Sequence, residues 1–110
     1  MGLSMYLNDQ DYNVGYWRKA NAIHNWFVIN VQGGEDDCNE FKVLYEDLLK
    51  LKNLCEQVLE TKDTTLLPPK EGFFFGVTEI DERYFDDLRN TIEIIDSLDP
   101  YGDYYYQSSW

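Results

Sequence analysis

Apolar residues recur at three- and four-residue spacing in three stretches of the chain and at alternate positions in a shorter one. Tyr16, Ala20, Ile23, Phe27 and Val31 form the first stripe, which predicts a helix from residue 16 to about 31. Gln32-Gly33-Gly34 ends it, because glycine just past a helix takes the left-handed cap conformation without a steric penalty. The second stripe is Phe41, Leu44, Leu48, Leu51, Cys55, Val58 and Leu59, a predicted helix over residues 40–60. On its outer side Glu46 stands four residues before Lys50, a favourable acid-before-base pair. Tyr84, Phe85, Leu88, Ile92, Ile95 and Leu98 make the third. It opens at the capping pattern Thr78-Glu79-Ile80-Asp81 and stops at Asp99-Pro100.

Leu3, Met5 and Leu7 alternate and read as a short strand, followed by the turn Asn8-Asp9-Gln10-Asp11. Gly72-Phe73-Phe74-Phe75-Gly76-Val77 reads as a second strand, paired with residues 3–7. The main loop runs from Thr61 to Lys70 and is stiffened by Pro68-Pro69. The tail from Tyr101 to Trp110 is aromatic without an amphipathic period and reads as a docking strand or arm. The predicted fold is a single α+β domain over residues 1–110, a three-helix domain with a small two-stranded β element.

Charge changes this picture more than composition does. Twenty-one acids stand against nine bases, a net charge of −12. Residues 71–110 hold ten of the acids and only two arginines. Such a field repels nucleic acid phosphates and anionic membranes and attracts a basic surface. The expectation is therefore no direct nucleic acid binding and no membrane association. No stretch reads as a signal peptide, and no apolar run approaches the roughly 18 residues a membrane span needs. A cytoplasmic protein is expected, with Cys38 and Cys55 as reduced thiols.

The candidate chemistry is sparse. Glu35-Asp36-Asp37 lacks the oxygen spacing of a calcium loop and is better read as a helix cap, so no metal and no cofactor are expected. His24 with Cys38 or Cys55 would be the nucleophile and base of an enzyme, but neither cysteine lies in an elbow turn, and an enzyme is not expected. Cys55 falls on the apolar stripe and reads as an inert core thiol.

The segments Gly2 to Leu7, Tyr16 to Phe27 with Val31-Gln32-Gly33-Gly34 and Asp37-Cys38, Leu66-Leu67-Pro68, Gly72 to Gly76 and Thr78-Glu79 with Asp81-Glu82 resemble a family of small proteins from phages and prophage-bearing bacteria. The tryptophan-rich block from Tyr16 to Phe27 is the most specific part of that resemblance. Some members bear a phosphoglycerate kinase label. This chain is too short for that two-domain enzyme and has no glycine-rich phosphate loop. It also departs from the family pattern at Ser4, where an acid is common, and in the short connection from Leu7 to Tyr16. The resemblance implies a phage accessory protein acting against host defence, in the cytoplasm of the infected or lysogenic bacterium. It carries no catalytic residues.

Two binding functions follow. In the first, an acidic inhibitor occupies the basic nucleic-acid-binding surface of a host defence protein, for example a CRISPR nuclease. Asp81, Glu82, Asp86, Asp87, Glu93 and Asp96 would supply the charge, and Tyr104, Tyr105, Tyr106 and Trp110 the anchors. In the second, a small-ligand binder sequesters a nucleotide signal. Arg18 and Lys19 would contact phosphate, Asn21, His24 and Asn25 would read the base, and Phe74 would stack on it. A small hydrolase ranks last, and oligomerisation is left open.

Overall fold

The alternating N-terminus forms the middle of a sheet. Leu3, Met5 and Leu7 are fully buried, and strand β1 (Ser4–Asn8) turns its other side chains to the opposite face. The structure, a computed structural model, describes residues 3–10, 12–34, 39–69 and 82–109. Strand β2 (Asn13–Arg18) pairs antiparallel with β1. In the turn between them the Tyr12 amide donates to Asp9 Oδ1 at 3.0 Å. Strands β3 (Phe41–Val43) and β4 (Tyr104–Ser109) complete the sheet, in the order β2-β1-β4-β3, antiparallel throughout.

This sheet corrects the expected small two-stranded element. Both sides of β1 are taken, by β2 and by β4, so residues 3–7 cannot pair with residues 72–77. Residues 72–77 themselves lie outside the described residues. The tail read as a docking strand or arm contains β4, a central strand paired on both sides within the sheet.

Three helices, α1 (Asn21–Asn30), α2 (Tyr45–Thr61) and α3 (Glu82–Asp96), accompany the sheet. The predicted first helix starts five residues too early. Residues 13–18 are extended, with Gly15 and Trp17 buried between exposed Asn13, Tyr16 and Arg18. Lys19, at φ 54, then turns the chain into α1. Tyr16 therefore leaves the predicted core stripe and is 45% exposed. The predicted second helix is also two elements, because Phe41–Val43 is a strand and Leu44 is still extended at ψ 143. In α2, Lys50 pairs with Asp47 at 3.8 Å rather than with the expected Glu46. The described part of the third helix begins at Glu82, so its predicted capping pattern lies outside the described residues.

Gly33 and Gly34 close α1 as expected, with φ of 66 and 87. The Gly34 amide donates to Val28 O at 2.7 Å, which satisfies one of the carbonyls a helix end leaves open. Helices α2 and α3 run antiparallel: Lys52, midway along α2, meets Asp96 at the end of α3, and Lys62, just past α2, lies over the Phe85 ring near the start of α3.

The core between sheet and helices is aromatic. Phe27 of α1 stacks on Tyr106 of β4 with ring centroids 3.8 Å apart and 6° between planes. Trp17 and Trp26 meet Phe27 edge-on. Trp17 donates its indole N–H to Thr91 Oγ1 of α3 at 2.8 Å, which satisfies a polar atom that burial would otherwise strand. The edge strand β2 is shielded by the same helix. Asn90 Nδ2 donates to Tyr16 O at 3.4 Å and Arg83 Nη2 to Arg18 O at 3.5 Å.

Candidate functional site

Helix α3 turns a charged stripe to solvent. Glu82, Asp86, Arg89, Glu93 and Asp96 recur at three- and four-residue spacing and are all exposed. Arg89 lies within the stripe, 2.7 Å from Asp86 and 4.0 Å from Glu82. Lys52 reaches Asp96 from α2 at 2.5 Å. Its hydrogen bond to Asp96 raises the Lys52 pKa above the ordinary lysine value. Exposed pairs of this kind contribute little stability but trim the field they sit in. Helix α2 adds Glu46, Asp47, Glu56 and Glu60. Together α2 and α3 carry nine acids against four bases.

The strands carry the opposite balance. No aspartate or glutamate lies in β1, β2, β3 or β4, whereas Arg18 and Lys42 do. The sheet register sets Tyr16, Tyr6 and Gln107 in one outward row and Arg18, Ser4 and Ser109 in the next. A further row holds Asn8, Tyr105 and Lys42. The Tyr6 and Tyr16 rings lie 5.4 Å apart. Hydrogen bonds from Ser4, and then from Arg18, lower the pKa of the Tyr16 hydroxyl. Lys42 is 3.7 Å from Asp103, the residue before β4.

The structure divides the acidic and tyrosine sets that the sequence joins. Glu82, Asp86, Glu93 and Asp96 are exposed, and Asp87 is half-buried on the same helix. Tyr104 and Tyr106 are core residues, 3% and 0% exposed, so they are not available as partner anchors. They alternate with Tyr105, which faces outward on the sheet. Asp81 and Trp110 lie outside the described residues.

The expected ligand set is also dispersed. Arg18 is exposed on β2, whereas Asn21 and His24 are buried in α1, His24 completely. His24 Nδ1 is 2.7 Å from the Tyr106 hydroxyl, deep in the core. Asn25 donates to Pro68 O at 3.0 Å and so ties α1 to the loop after α2. Lys19 is half-buried at the turn before α1, and Phe74 lies outside the described residues. The side chains expected to grip one nucleotide therefore do not converge.

Cys55 is fully buried, and burial pushes its thiol up to about 12. A thiolate nucleophile is not available there near neutral pH. Cys38 lies outside the described residues, as does the acidic turn at residues 35–37. Among the described residues, no group of three or more His, Cys, Asp and Glu side chains could hold a metal ion. Among them too, no helix is long and apolar enough to cross a membrane. A cleft of about 400 Å³ lies between the β1–β2 turn and the end of α3, with Asp9 and Asp99 among its lining.

Sequence reasoning missed the outward sheet rows. The usable signal was the alternation of Tyr104, Tyr106 and Ser108 with Tyr105, Gln107 and Ser109, in which tyrosine on both faces hides the amphipathic pattern. Comparison of the chain with family models, with curated proteins and with solved structures finds no match.

Proposed function

We propose that this protein acts by binding, with the acidic outer side of α2 and α3 docking on a basic, nucleic-acid-binding surface of a protein partner. The observation that supports this reading is the segregation of charge, nine acids on two neighbouring helices and none on the strands. A net charge of −12 spread evenly would serve solubility alone. Charge gathered on one layer steers encounter with a surface of the opposite sign. The resemblance to phage and prophage proteins extends the proposal to a partner in host defence, such as a CRISPR nuclease, with the protein acting as an inhibitor in the bacterial cytoplasm. The docking residues in this reading are Glu82, Asp86, Glu93 and Asp96, with Asp87 at their border. The buried tyrosines take no part.

Co-purification of tagged protein from a bacterial host lysate tests the reading. A basic, nucleic-acid-binding protein is expected at low salt and should be lost at high salt. The double variant Asp86→Lys, Glu93→Lys changes two exposed positions on one stripe and should fail to recover it. Undiminished recovery by that variant would sink the proposal.

A further inference from the structure

We infer that the outer face of the sheet is a second binding surface, and that its occupant is a single-stranded nucleic acid. Among the described residues, helices cover the four-stranded sheet on one side, and its other side carries three tyrosines on three neighbouring strands: exposed Tyr16 on β2 and half-buried Tyr6 on β1 and Tyr105 on β4. Rings set on an open antiparallel sheet stack on unpaired bases, whatever their sequence. The Tyr16 hydroxyl is hydrogen-bonded by Ser4 and by Arg18, and Lys42 is opposite Tyr105 in the register. The two cations lie on opposite edge strands of the sheet, Arg18 on β2 and Lys42 on β3.

The whole-chain charge of −12 argues against any polyanion, but charge acts over a limited range. At physiological ionic strength the screening length is about 8 Å. The helices pack on the inner side of the sheet with the core between, although α3 also reaches the β2 edge through Arg83 and Asn90. No strand residue adds a negative charge of its own, and the acids that directly flank the strands, among the described residues, are Asp9, Glu40 and Asp103. Partial pairing of Lys42 with Asp103 leaves Arg18 as the stronger phosphate contact, so the binding is weak and depends mainly on stacking. This surface shares no residue with the acidic stripe of α3, so either proposal can fail without the other.

Fluorescence anisotropy of a labelled twelve-residue oligothymidylate, titrated with the full chain at low salt, tests the inference. Saturable binding is expected, with Tyr6→Ala and Tyr105→Ala each weakening it about fivefold or more and the Tyr→Phe variants retaining it. Arg18→Gln, at an exposed position that leaves the core intact, should lower the slope of log affinity against log salt by about 0.7. It serves as the decisive variant if a tyrosine variant does not fold. Four results would overturn the inference: no saturable binding, equal binding by the alanine variants, an unchanged salt slope for Arg18→Gln, or duplex or free thymidine monophosphate binding as tightly as the oligomer.

Discussion

His24 Nδ1 lies 2.7 Å from the Tyr106 hydroxyl, and both side chains are completely buried. The contact joins α1 to β4 across 82 residues of sequence. Tyr106 also stacks on Phe27, one turn further along α1, so one tyrosine meets the helix with both its ring and its hydroxyl. The two interactions separate cleanly by substitution. Tyr106→Phe keeps the stack and removes the hydroxyl, with an expected loss of about 1–3 kcal/mol, the penalty of removing one partner of a buried hydrogen bond. Phe27→Ala opens a cavity and should cost about 3–5 kcal/mol. Urea denaturation measures both, and equal losses would contradict this division.

Gly15 and Ile94 set how closely α3 approaches β2. A Cβ at Gly15 would lie 2.7 Å from Ile94 Cγ2, a methyl bonded to the branched Cβ and so held near the helix backbone. Gly15→Ala should destabilise by about 1–3 kcal/mol through overpacking. Adding Ile94→Ala should recover part of that loss. If the double variant is instead destabilised by the sum of the two single effects, the contact is not what limits the site.

Burial makes stability fall in alkali. The Cys55 thiol is pushed up to about 12 from an ordinary 9.0, and the Tyr84 hydroxyl to about 12 from 10.0, burial being the first cause for each. The unfolded chain loses these protons at the ordinary values, while the native state holds them to higher pH. Between about pH 9 and 12 the unfolded state binds fewer protons, so unfolding becomes easier as pH rises. Thermal melts at pH 7.5 and 10.5 should show a lower midpoint at the higher pH, with a smaller drop in Cys55→Ala. An unchanged drop in that variant would remove Cys55 from the explanation.

The parts of the fold legible in the sequence were those with one clear period. The α2 stripe through Leu48, Leu51, Cys55 and Val58 is buried as its spacing predicts, and so are Leu88 and Ile95 of α3. Trouble came where two periods overlap. Tyr16, Ala20, Ile23 and Phe27 satisfy helical spacing, yet Tyr16 belongs to a hairpin strand whose inward positions are Gly15 and Trp17. A glycine at an inward position hides the alternation, and it is there because Ile94 needs the space. Tyr104, Tyr105 and Tyr106 defeat the pattern differently, since one residue type serves the core and the open face in turn. The acidic stripe was readable because charge needs only helical spacing to fall on one side. His24 was not, because the hydroxyl it meets comes from the far end of the chain.

In the proposed binding mode the acidic helix layer competes for a basic surface that otherwise holds nucleic acid. The most direct measurement is competition on the partner recovered by co-purification, with labelled duplex as its ligand, since duplex offers no unstacked bases to the protein's own tyrosine face. Added wild-type protein should displace the duplex in a salt-dependent way, and Asp86→Lys, Glu93→Lys should displace little or none. A ternary complex in which partner, duplex and protein bind together, or equal displacement by the charge-reversed variant, would contradict the account.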